Sequence, residues 1–162
     1  MQNYKEKLSR LDNDNSDELI SNGSKKHAQA LIYRFLNKAQ KRVNITSTGL
    51  SIYNDYGIVD ALNIALNRGV KIKILLDNYQ NNKIMNNNFL DICLNNKNCE
   101  IKTYNKPLKA HIVTRDDDAF RYCKDPGSNI AVASFNHPDV VENATKKVFG
   151  TFFDKQPKYT AI

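Results

Sequence analysis

The chain has 162 residues, enough for one domain that buries about two thirds of the surface its unfolded form exposes. Its three cysteines, Cys93, Cys99 and Cys123, are odd in number and form no C-x-x-C pair, which argues against a zinc knuckle and a disulfide framework and points to a reducing, cytoplasmic setting. No apolar run reaches the roughly 20 residues that span a bilayer, and "MQNYKEKLSRLDNDNSDE" lacks the apolar core of a signal peptide, so a non-membrane, non-exported protein is expected. The 24 Lys and Arg against 17 Asp and Glu give a net charge of +7 and favour a polyanionic partner. The basic residues are scattered through "SKKH", "NKAQKR" and "NATKK", the pattern of solvated helix faces.

Residues 1–15 are polar and read as a flexible lead-in, with a single domain over 16–162. Ser24 is placed to cap a helix in which Ala28, Leu31, Ile32, Phe35, Leu36 and Ala39 recur at helical spacing. "RVNITST" predicts a strand. The helical period returns in "GIVDALNIALNRG", where Gly69 supplies the stop. "VKIKILLD" reads as a central strand covered on both faces, followed by a short helix over Phe89, Leu90, Cys93 and Leu94 and the strand "EIKTY". After Pro107, "AHIVT", "AFRY" and "NIAVASF" predict three strands separated by the turns "RDDD" and "KDPGS". A last helix, "PDVVENATKKVFGTFFD", opens on Pro138. The order predicts an α/β fold, a mixed β-sheet covered by helices on both faces.

The chemistry concentrates in "KAHIVTRDDDAFRY". His111, Val113 and Arg115 alternate onto one face of a strand, and Asp116, Asp117 and Asp118 close it. Imidazole suits nucleophilic or acid/base work near neutral pH, and a carboxylate fixes its tautomer. Taken alone, a strand histidine and an acidic turn are more often structural. His27, on the first helix, and His137, in a loop, are read as non-catalytic.

The run "LIYRFLNKAQKRVNITSTGLSIYNDYGIVDALNIALNRGVKIKILLD" resembles the opening of a phospholipase D superfamily domain, and the resemblance extends over roughly residues 24–155. In that family an H-x-K-x4-D motif carries the chemistry, followed by G-S-x-N. Here His111 and Asp118 match the first and last letters, and Val113 stands at the lysine. "AVASFN" offers Ser134 and Asn136 with Ala133 at the glycine. "DPGSN" at 125–129 is closer in spacing and reads as a tight turn.

The resemblance implies metal-independent, cofactor-free phosphodiesterase chemistry. One histidine attacks phosphorus and a second protonates the leaving oxygen, so a single-motif chain must form a two-fold homodimer with His111 of each copy at the interface. The lysine would balance phosphate charge, which valine cannot do. Arg115 and Lys109 share the face of His111 and are the candidate phosphate-binding replacements, each about 6.6 Å or more along the strand from the lost position. The expected function is a catalytically impaired PLD-like subunit that binds nucleic acid or a protein partner. The alternative is a dimeric nuclease acting through a His111 phosphohistidine. A phospholipid-acting enzyme is disfavoured by the lack of an interfacial helix.

Overall fold

In the computed structural model, which describes residues 1–128 and 130–160, the elements follow in the order α1 (Gln2–Asn13), β1 (Ile20–Asn22), α2 (Lys25–Lys38), β2 (Arg42–Ser47), α3 (Tyr56–Asn67), β3 (Lys71–Leu76), α4 (Asn88–Leu94), β4 (Cys99–Thr103), β5 (His111–Arg115), β6 (Ala119–Cys123), β7 (Ala131–Ser134) and α5 (Pro138–Lys146). A π-helical turn, Lys147–Phe152, extends α5. Single 3-10 turns lie at Ser51–Tyr53 and Tyr79–Asn81.

The sheet order is β1-β7-β6-β5-β2-β3-β4. β2, β3 and β4 run parallel, and β5, β6, β7 and β1 add antiparallel strands to one side. The parallel pairs are joined through α3 and α4, as crossover connections require. Ile72, Ile74 and Ile101 face the main core with α2 and α3. The alternating Lys73 and Lys102 instead reach the Phe153 ring after α5, at 5.1 and 5.0 Å. Both faces of the sheet are therefore helix-covered, as the near-continuous apolar run of β3 predicts.

Local signals act where the sequence places them. Ser24 Oγ accepts the His27 N–H, and Pro138 opens α5. Gly69 adopts φ +87°, and Gly69 N–H and Val70 N–H donate to Leu66 and Ala65 carbonyls, closing α3 in a Schellman turn.

The expectation of a flexible lead-in is corrected. Residues 2–13 form α1, whose buried Leu8 and Leu11 pack with the core. Its polarity hides a narrow apolar stripe, Tyr4, Leu8 and Leu11 at helical spacing, that needs only one flank of α2 for cover. Asp12 fixes the helix in place. It takes both Arg115 Nη atoms, at 2.9 and 2.8 Å, and Arg34 Nε at 2.7 Å, with all three side chains largely buried. Burial acts to raise the Asp12 pKa, but the hydrogen bonds and charge of Arg115, then Arg34, outweigh it and hold the carboxyl below its usual range. Asp12→Asn leaves two guanidinium groups without a counter-charge, and urea unfolding should report a loss of about 3 kcal/mol or more. A loss under about 1 kcal/mol would mean that α1 is not tied to the sheet as described.

Candidate functional site

Because β5 runs antiparallel to β2, its first residue sits at the carboxyl end of the parallel strands, where α/β sheets open crevices. His111 is that residue. Asp77 directly follows β3, and Thr48 directly follows β2. Three chain segments thus meet at one point. His111 Nε2 bonds Asp77 Oδ2 at 3.0 Å, Thr48 Oγ1 donates to Asp77 Oδ1 at 2.6 Å, and the Leu108 N–H donates to Oδ2 at 2.6 Å.

The Asp77 side chain is 2 % exposed and that of His111 15 %. Burial acts to raise the Asp77 pKa, and the hydrogen bonds from His111, Thr48 and Leu108 outweigh it, holding the carboxyl below its ordinary 3.8. An ionised carboxylate can only accept, so Nε2 carries the proton it donates. The lone pair of neutral His111 then lies on Nδ1, which has no partner among the described residues.

Above this pair lies a cleft of about 220 Å³. Its walls are the β2 exit (Thr46 to Tyr53), His111 and Val113 of β5, Arg121 and Cys123 of β6, and Pro126 and Ser128 of the following loop. Strand pairing sets this wall: His111 lies opposite Cys123, and Val113 opposite Arg121. Cys123 Sγ is 3.2 Å from the Asp125 carbonyl and 3.6 Å from that of Ser128, which draws the loop over the cleft. Arg121 is 8 % exposed, and its Nε donates to Asn22 Oδ1 at 2.8 Å. Burial pushes the Tyr53 hydroxyl pKa up and the Arg121 charge opposes this, so that charge is felt at the cleft wall.

The structure distributes the sequence candidates unevenly. His111 and Val113 are in the cleft, with Val113 only 2 % exposed and part of the apolar core. Lys109 is exposed two residues before His111. Arg115 is on the same side of the sheet, but Asp12 holds its guanidinium, which also lies 5.5 Å from the rings of both Phe35 and Phe135. Asp118 lies in the turn beyond β5, whose four-residue rise of about 13 Å separates that turn from His111.

Within this turn Asp116 does the structural work. It adopts φ +52°, and its carboxylate accepts the Gln40, Lys41 and Arg42 N–H groups, clamping the entry to β2. Ser134 pairs with Phe120 at the end of β6 remote from Cys123, and Asn136 Nδ2 donates to the Asn15 carbonyl. Neither comes to His111; the "DPGS" loop does. His27 stacks on Tyr4 at 4.0 Å, and His137 bonds the Asp17 carbonyl, so the described residues bring one histidine to the cleft. Among them, no cluster of His, Cys, Asp and Glu could hold a metal ion.

Sequence reasoning passed over Asp77, Thr48 and Arg121. The aspartate ending "KIKILLD" was the available signal for the first, because a charge at the carboxyl end of a buried strand needs partners.

Nitrogen NMR of His111 should show the Nε2–H form, and Asp77→Asn should shift it toward a mixture of tautomers. Because the folded Asp77 pKa lies below 3.8, its stabilisation is fully present above about 3.8 and is lost as pH falls through the lower folded value. The stability gap between the wild type and Asp77→Asn should therefore narrow in urea titrations between pH 5 and pH 2. A gap that widens on acidification would contradict the arrangement.

The same fold occurs in known structures. TrmBL2, an archaeal chromatin protein whose structure shows a novel mode of DNA binding, superposes with TM-score 0.64 at 18 % identity over 98 % of this chain and 62 % of TrmBL2. Nuc of Salmonella typhimurium, a phospholipase D family member, gives TM-score 0.66 at 16 % identity over 89 % of this chain and 99 % of its own. NucT from Helicobacter pylori gives 0.65 at 13 % identity, over 88 % and 100 %. No curated protein matches the sequence. The family described as "Cardiolipin synthase, PLD-like domain" matches residues 32–142, from within α2 to within α5, with Asp77 and His111 inside the match. This chain therefore belongs to the PLD-like domain family of the phospholipase D superfamily.

Proposed function

We propose that this protein binds nucleic acid through its phosphodiester backbone, as a cytoplasmic homodimer in which the family's phosphoryl-transfer chemistry is impaired. The observation that carries the reading is Val113. At the position where the family motif has lysine, the side chain is apolar and packed into the core. A single preorganised donor to a developing charge is worth roughly 10²–10³ in kcat, so its loss leaves binding far less affected than turnover. The +7 charge supports a polyanionic ligand, and TrmBL2, similar along nearly the whole chain, is a DNA-binding protein. Protein-partner binding by the same fold is the other role of an impaired member.

One observation favours the active alternative. His111 is oriented by a buried carboxylate with Nδ1 unpaired, the arrangement of an activated imidazole. In that reading Nδ1 attacks phosphorus, the P–O bond to the leaving group breaks, the other copy's His111 protonates the departing oxygen, and water hydrolyses the phosphohistidine. A second copy is needed because the cleft brings together one histidine among the described residues.

With EDTA present, single- and double-stranded DNA, RNA and a generic phosphodiester should show no turnover above background, and oligonucleotide affinity should fall linearly on a log–log plot against salt. Turnover abolished by His111→Ala would establish the alternative. Salt-independent binding would remove the backbone-contact reading, and a monomer in light scattering at micromolar concentration would remove the shared site.

A further inference from the structure

Arg121 is a largely buried cation without a counter-charge among the described residues. A guanidinium has five N–H donors, and the only bond Arg121 makes among the described residues is from Nε to Asn22, a neutral amide. Arg115, on the neighbouring strand and the same side of the sheet, shows the contrast, since both of its Nη atoms are taken by Asp12. Arg121 has no ion-pair partner within 4.0 Å among the described residues, although it is 8 % exposed. Its terminal nitrogens are not among the buried side-chain atoms that lack a partner, so what they face is the water of the cleft, which an anion could replace.

The geometry gives that partner a place. Arg121 lines the cleft over His111. It lies directly opposite Val113 across the β5–β6 pair and is therefore the diagonal neighbour of His111, about 7–8 Å away between Cα atoms and within reach of a long side chain. With Nε turned to Asn22, the four N–H bonds of the terminal nitrogens form a fork with no acceptor among the described residues, the shape that matches a phosphate. The cleft, at about 220 Å³, lies below the range of about 300–1,000 Å³ typical of sites for drug-sized ligands. It suits one phosphoryl group rather than a whole nucleotide.

We propose that Arg121 is the phosphate-binding group of the His111 cleft, gripping a single phosphate through its Nη atoms from the strand next to the one that carries Val113. The inference deepens the nucleic-acid reading and rests on it for the source of the phosphate. The site chemistry is equally that of a free phosphate ester.

The test uses the full chain as wild type, Arg121→Gln and Arg121→Lys, with inorganic phosphate and a single-stranded 20-mer as separate probes at matched ionic strength. Phosphate should shift the amide resonances of Ser51, Cys123 and Ser128 and raise Tm in the wild type but not in Arg121→Gln. For the 20-mer, Arg121→Gln should weaken binding about tenfold and lower the salt slope by about 0.7, the loss of one phosphate contact on a single strand. Arg121→Lys should keep the slope and lose part of the affinity.

Unchanged phosphate shifts in Arg121→Gln would overturn the proposal. So would a wild-type titration that moves no cleft resonance, a readout that survives even if the variant does not fold. Salt-dependent 20-mer binding that is equal in wild type and Arg121→Gln refutes the role of Arg121 and leaves the nucleic-acid reading standing. Arg121-dependent phosphate binding without 20-mer binding does the reverse and points to a free ester as ligand.

Discussion

A carboxylate sealed at the carboxyl end of a central strand is the constraint around which this cleft is built. Asp77 can remain ionised at 2 % exposure because three donors from different segments converge on it. Each donor fixes something else. Thr48 holds the chain as it leaves β2, the Leu108 N–H fixes the approach to β5, and His111 sets the start of β5 itself. The crossing from parallel to antiparallel pairing, which any chain reversing into a sheet must make, is stitched here by one buried charge. The imidazole orientation follows from that stitching rather than from a separate catalytic device. The same bond therefore serves both a working enzyme and a descendant that has stopped turning over.

Much of this was legible in the sequence. The helical stripe from Ala28 to Ala39, the near-continuous apolar β3, and the turn residues at "RDDD" and "KDPGS" sit where periodicity and backbone preference place them, because burial on one or two faces leaves a direct pattern. α1 was not legible. Its stabilising contacts are an ion pair across 103 residues to Arg115 and one across 22 to Arg34, and no local period records a partner so far away. Polar composition in the first 15 residues looked like disorder because the apolar stripe is narrow and the remaining hold is electrostatic.

The site divides along the same line. His111 was visible through motif spacing, and Val113 and Arg115 were correctly given to its side of the sheet by the two-residue strand period. Their fates diverge because of residues the local sequence cannot show. Val113 meets the core, and Arg115 meets Asp12. "ASFN" and "DPGS" could be ranked only by knowing which end of β6 each would reach. The β6–β7 register puts Ser134 opposite Phe120, while the Cys123 thiol draws the loop at 125–128 to the other end, over the cleft.

Two arginines on adjacent strands frame the remaining question of why the cleft keeps a buried charge. Arg115 is neutralised within the fold, so its retention follows from stability: removing either member of a buried, bidentate pair costs several kcal/mol. Arg121 has no such partner among the described residues. A neutral side chain of similar volume would satisfy Asn22 without the desolvation of a full charge, so the fold alone would favour replacement. A cation with no ion-pair partner among the described residues, opposite an apolar residue at the place where the family motif has lysine, suits contact with an anion better than a structural role. On that view the cleft lost the strand position suited to catalysis and kept, one strand over, a position suited to holding.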